Sequence, residues 1–256
     1  MNYLLVKKFL KQGYVILNLN KNQLIHLNKI KKKIVKILKN SSKKKNKKND
    51  FFENFHNHID KKNLNKVRLK VFSKINKYNF NKHYYKIFSR FIEPLVGTEN
   101  VIQKKINISV QLPNDDSSLL PVHSDTWAGD SPFEIVVWVP LVDCKKTQSM
   151  FILPNSSGIA KKFSSLNFYD NDKIMKKIEK QIKFLEMKYG QVLIFSQNLP
   201  HGNVVNAENR TRWSFNARVK SLMSPYSKKG LLDFFDIIDI KPATKFGLDY
   251  NEPKFK

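Results

Sequence analysis

Near Val101 the hydrophobic pattern of this chain changes period, and that change limits the architectures open to it. Upstream, apolar residues recur at three- and four-residue spacing, as on one face of a helix. Asn20 is placed to cap the first such run, with Leu24, Leu27, Ile30, Ile34, Ile37 and Leu38 along its apolar face. Leu64, Val67, Val71, Phe72 and Ile75 repeat the pattern, and Tyr84, Ile87, Phe88 and Phe91 do so again until Glu93-Pro94 interrupts it. Downstream, the apolar runs are short, β-rich and separated by turn residues, which predicts a sandwich or barrel. The clearest strands are Ile106 to Leu112, Phe133 to Val139, Met150 to Leu153, Val192 to Phe195 and Arg212 to Val219.

One stretch breaks the β pattern. Between Ser157 and Tyr189, Ile174, Ile178, Ile182 and Leu185 fall at helical spacing, predicting a helical insertion and a candidate lid. After about Ser221 the chain reads as an irregular tail. The expected organisation is a helical region at 1–95 with a Lys-rich loop at 41–50, a β core at 96–222 with an insertion at 158–188, and a C-terminal extension at 223–256. With 256 residues, 41% of them hydrophobic, one core with helical additions is expected, hence one domain.

A formal charge of +26 suggests nucleic acid, since basic side chains neutralise phosphates. The composition argues otherwise. Only Arg68, Arg90, Arg210, Arg212 and Arg218 are arginine among 47 basic residues, and the lysine excess accompanies abundant Asn and Ile, as an AT-rich coding sequence would produce. The densest cluster, Lys43 to Lys48, has no interleaved aromatic residue and reads as a solvated loop, so no specific nucleic-acid partner is expected. Cys144 is the single cysteine, which excludes an intrachain disulfide. The apolar run at the start breaks at Lys7, too soon for a signal peptide, and no segment approaches the roughly 18 apolar residues of a spanning helix. A cytoplasmic protein is expected, and its oligomeric state is not legible.

The chemistry concentrates in Pro121-Val-His-Ser-Asp-Thr-Trp127. His123 and Asp125 on an extended segment point to the same side, while Ser124 points away. His201 follows a strand and a short turn, so a barrel can bring it beside them. Two imidazoles and one carboxylate are the ligand set of a non-haem Fe(II) site that keeps positions open for substrate and oxygen. His26, His56, His58 and His83 lie in Lys/Asn-rich helical sequence and read as surface or structural residues. A second element is Arg210 to Arg218, where three of the five arginines gather in a lysine-rich chain. Arginine offers a planar fork that lysine cannot reproduce. Arg212, Ser214, Asn216 and Arg218 share one strand face, and Trp213, Phe215, Ala217 and Val219 the other.

These residues resemble the Fe(II)/2-oxoglutarate-dependent oxygenases, specifically the phytanoyl-CoA-hydroxylase-like branch and the oxygenases of carbohydrate biosynthesis clusters. The resemblance covers most of the chain. Phe9 to Leu17 followed by a helix is similar to the family's opening, Val137 to Asp143 and Ile152 to Ser157 to its strand and proline-turn-serine segments, and Gly190 to Phe195 to the approach to its distal histidine. One departure is Asn155-Ser-Ser157, which lacks the histidine that often ends this segment in the family. The resemblance implies a mainly β fold with helices: a double-stranded β-helix, the cupin-like jelly roll, with the N-terminal helices packed on the barrel. It implies that His123, Asp125 and His201 ligate Fe(II), and that Arg212, with Ser214 in an Arg-x-Ser pattern, grips the distal carboxylate of 2-oxoglutarate. Gln111 is a further candidate for that cofactor, and Trp127, Asn216 and Arg218 for substrate.

The implied reaction consumes O2 and 2-oxoglutarate and releases succinate and carbon dioxide while a substrate is oxidised. Halogenating relatives lack the carboxylate, so Asp125 favours hydroxylation. The expected substrate is a small polar metabolite such as a sugar or nucleotide-sugar in surface-carbohydrate synthesis. Two alternatives stand beside it, a non-catalytic cupin-like small-molecule binding module and, ranked last, a nucleic-acid-directed oxygenase.

Overall fold

The computed structural model describes residues 2–39, 50–155 and 170–254. Residues 41–49 of the Lys-rich stretch and 158–169 of the expected insertion lie outside these. The chain opens with α1 (Asn2–Gln12), β1 (Tyr14–Asn18) and α2 (Lys21–Lys39), followed by α3 (Leu64–Ile75), α4 (Phe80–Tyr85) and α5 (Glu93–Val96). The Asn20 cap is reciprocal: Asn20 Oδ1 accepts from Gln23 N, and Gln23 Oε1 accepts from Asn20 N, both at 2.9 Å.

The β region contains β2 (Asn100–Gln103), β3 (Asn107–Gln111), β4 (Ile135–Pro140), β5 (Phe151–Ile152), β6 (Lys183–Phe184), β7 (Gln191–Ser196), β8 (His201–Gly202), β9 (Arg212–Ser221) and β10 (Phe235–Asp239). The larger sheet runs β1–β7–β4–β9–β2–β10, with β3 also paired to β9, and the smaller runs β6–β5–β8. Every ladder is antiparallel. The two sheets face each other across a pocket, and the fold is the double-stranded β-helix.

Strand β9 organises the larger sheet, pairing with β4 along one edge and with β3 and β2 along the other. Its two faces have different tasks. Trp213 meets Phe52 and Phe55 edge-on at 5.3 and 4.9 Å, and Phe215 meets Phe80 and Tyr84 at 5.8 and 5.9 Å. Tyr84 is wholly buried, and its hydroxyl donates to Val137 O and Phe215 O, so the polar end of this ring is satisfied. Each fully buried aromatic contributes on the order of 2–3 kcal/mol, which fastens the N-terminal helices to the outer face of the sheet. The opposite face of β9 is left for the pocket.

Two expectations need correction. The insertion's helix, α6 (Asn171–Ile178), is capped by the Asp170 carboxylate and buries Ile174 and Ile178 with Val122, Phe151 and Leu153. It ends before Ile182 and Leu185, because Lys183–Phe184 pairs with β5 instead, satisfying backbone groups that a longer helix would leave open, and Leu185 enters the main core. The tail is not irregular throughout. Phe235 is wholly buried, β10 pairs with β2, and a helix α7 (Pro242–Leu248) follows. Among the described residues no helix is long and apolar enough to cross a membrane.

Candidate metal and cofactor site

His123 and His201 face one another as an antiparallel bridge, with His123 N donating to His201 O at 2.9 Å and His201 N to His123 O at 2.8 Å. Their ring centroids are 4.3 Å apart. Each Nδ1–H donates to the carbonyl two residues earlier, Pro121 O at 2.8 Å and Leu199 O at 2.9 Å. A carbonyl can only accept, so both imidazoles are held in the tautomer that leaves the Nε2 lone pair free. Asp125 follows an extended Ser124 and begins a 3-10 turn, Asp125–Ala128, rather than continuing a strand. Ser124 does point away, its hydroxyl donating to Gln197 O at 2.8 Å. Nitrogen and oxygen atoms of His123, Asp125 and His201 lie within 4.8 Å of one another, close enough to share one metal ion. His201 is buried against Phe195, and that burial, reinforced by His123, lowers its pKa and favours the neutral, ligating form.

Gly202 closes this end. A Cβ there would lie 2.8 Å from Leu120 O and from Phe151 Cζ, so only glycine lets the strand after His201 approach the segment before His123.

Arg212 sits deeper in the same cavity of about 270 Å³. It is 3% exposed and has no ion pair among the described residues. Its contacts are neutral and long: Nη2 donates to Ser109 Oγ at 3.2 Å and Nη1 to Gln148 O at 3.4 Å, and Nε has no partner. Burial pulls its pKa down to about 10. Gln111 lies directly opposite Arg212 in the β3–β9 register, and Ser214 two residues along the same face. Gln111 Oε1 and Ser214 Oγ are also buried without partners. Of these three residues Arg212 alone lines the cavity, and a guanidinium there without a counter-charge suits a carboxylate.

The other expected residues divide. Asn216 lines the cavity opposite Asn107. Trp127 is 40% exposed on the 3-10 turn and does not line it. Arg218 lines it but is committed elsewhere: Nη2 lies 2.8 Å from Asp125 Oδ1 and 3.3 Å from Asp130 Oδ2, and Nε lies 3.2 Å from Gln197 Oε1 and 3.8 Å from Glu134 Oε2. Sequence reading missed Asp130, Glu134 and Gln197. The available signal was Asp125, Asp130 and Glu134 falling close together in a chain with only 21 acidic residues.

Such a fold, with a His-Asp-His cluster at the pocket and an unpaired buried arginine beyond it, defines the class of non-haem Fe(II)/2-oxoglutarate-dependent oxygenases. The chain belongs to the phytanoyl-CoA dioxygenase (PhyH) family, whose model matches residues 9–212. Its cofactors are Fe(II) and 2-oxoglutarate. No curated protein matches its sequence. Among solved structures it is similar to a non-haem monooxygenase, ThoJ in its Ni complex, at 15% identity and a TM-score of 0.57, covering 93% of this chain and 84% of that one. It is also similar to EctD from S. alaskensis with 2-oxoglutarate and 5-hydroxyectoine, at 14% identity and a TM-score of 0.58, covering 86% and 76%. A third is SnoN, the non-haem α-ketoglutarate-dependent epimerase from nogalamycin biosynthesis, at 13% identity and a TM-score of 0.51, covering 88% and 84%.

Proposed function

We propose that His123, Asp125 and His201 hold the Fe(II), that Arg212 with Ser214 holds the far carboxylate of 2-oxoglutarate, and that the enzyme hydroxylates a small, hydroxyl-rich substrate of carbohydrate type in the cytoplasm. The carrying observation is the buried guanidinium of Arg212 on the cavity wall, which among the described residues has two neutral contacts and no counter-charge. A buried cation without a counter-charge costs several kcal/mol, and a ligand carboxylate is what offsets that cost.

Bound together, Fe(II) and 2-oxoglutarate supply the activation of O2. The chain supplies the rest. The carbonyls of Pro121 and Leu199 orient both imidazoles, and Asp125 adds the negative charge that offsets a divalent cation. Leu120, Val136, Trp138, Met150 and Phe195 give the cavity apolar walls that exclude water. Asn107 and Asn216, opposite each other in the register, add two neutral carboxamides to those walls, which supports a substrate read by hydroxyl hydrogen bonds rather than by charge.

Anaerobic protein with Fe(II) is expected to bind 2-oxoglutarate, and His123→Ala and Asp125→Ala to abolish that iron-dependent complex. With O2 and a panel of sugars and nucleotide-sugars, succinate release is expected to rise above the uncoupled level. Full iron and cofactor binding by both variants would overturn the assignment.

A further inference from the structure

The family match ends at Arg212, and the residues beyond it build a strap over the Asp125 loop. Ser227 Oγ donates to Gly129 O, Lys228 Nζ to Ala128 O at 3.2 Å, and Ser131 Oγ to Pro225 O at 2.6 Å. Lys229 pairs with Asp130. Lys220, wholly buried near the end of β9, donates to Ser224 O and Pro225 O at 2.6 and 3.1 Å, and its ammonium lies 3.3 Å from the Tyr226 ring centroid. Gly129 has φ +89°, and a Cβ there would come within 2.9 Å of Lys228 Cε, so strap and loop touch at a position built for glycine. Asp130 therefore receives one cation from the strap and another, Arg218, from β9, and Arg218 passes on to Asp125.

We propose that Arg218 is a positioning residue for Asp125 as metal ligand, and that the strap 224–229 keeps it in place through Asp130. The inference rests on the metal assignment above. Asp125 stands on a short turn, and apart from Arg218 only His123, with Nε2 at 4.0 Å, approaches its carboxylate as an ion-pair partner among the described residues. The planar fork of Arg218, gripped by Asp130, Glu134 and Gln197, fixes the carboxylate plane before metal arrives. A simple charge would act in the opposite sense, because a cation beside the site repels the metal.

The test is Co(II) titration of the metal-free full-length protein, followed by visible absorption, which reports both affinity and coordination geometry. Arg218→Gln is expected to weaken Co(II) binding at least about tenfold and to alter the Co(II) bands. Arg218→Lys, which keeps the charge and loses the fork, is expected not to restore either. Lys229→Gln is expected to shift affinity in the same direction by less, and carries the test if circular dichroism shows the Arg218 variants unfolded. Wild-type affinity and bands in Lys229→Gln and folded Arg218→Gln, tighter binding by Arg218→Gln, or restoration by Arg218→Lys would overturn the proposal. Failure of the wild type to bind Co(II) would overturn the metal assignment with it.

Discussion

Arg212 and Arg218 stand on the same face of β9 and line the same cavity, yet the protein treats them in opposite ways. Arg218 is met by three carboxylates and a carboxamide; Arg212 is more deeply buried and meets only two neutral oxygens. A buried cation that a fold has surrounded with anions serves the fold, whereas one it has left bare is held for a ligand. The end of β9 near Arg212 thus carries an uncompensated charge, and the end near Arg218 a compensated one.

That contrast is easiest to break at Arg212. Arg212→Met is expected to weaken 2-oxoglutarate binding by about 100- to 1000-fold, the loss of roughly 3–4 kcal/mol of charge-assisted contact. The cofactor-free variant should unfold in urea no earlier than the wild type, since it no longer buries a bare charge. A destabilised apo-protein would remove the contrast. Arg218→Met should behave inversely, lowering apo-protein stability by about 3–5 kcal/mol because it takes the arginine from Asp125 and Glu134 and leaves Asp130 with Lys229 alone. Urea midpoints of the two variants measured side by side decide between them.

A smaller effect is expected at Glu134. Burial raises its pKa to about 7 against the opposing pull of Arg218, so the folded state keeps a proton that the unfolded state releases near 4.5. Stability from this group is full below about 4.5 and lost as pH rises towards 7. His201 acts in the other sense, since its lowered pKa costs stability as pH falls below 6.5. Glu134→Gln retains the His201 contribution and removes the first, so above pH 7 the variant should be the more stable by on the order of 1–3 kcal/mol. Unfolding curves of both proteins from pH 5 to 8 check this, and parallel pH profiles would contradict it.

The alternation along β9 was legible because strand side chains have period two, and the structure keeps Trp213, Phe215 and Val219 on the buried face. The expected strands agree with β3, β4, β5, β7 and β9 to within two residues at each end. Less legible was anything set by pairing. β6 emerges from a run with helical spacing because β5 offers it an edge, and β10 from an apparently irregular tail because β2 does. The proximity of His123 and Asp125 could be read from spacing, but the ion pair between Arg218 and Asp125 could not. It depends on the β9 register and on how the turn at Asp125–Ala128 folds back, and nothing local encodes either.

The bridge between His123 and His201 has a consequence beyond ligation. If the two histidines share one ion as proposed, that ion rivets a seam already closed by reciprocal backbone hydrogen bonds, tying off a loop of roughly 80 residues. Such a crosslink removes conformations from the unfolded ensemble as a disulfide does, in a chain whose single cysteine cannot form one within itself. Loss of that ion would therefore be felt as protease sensitivity in α6 and not in the pocket alone.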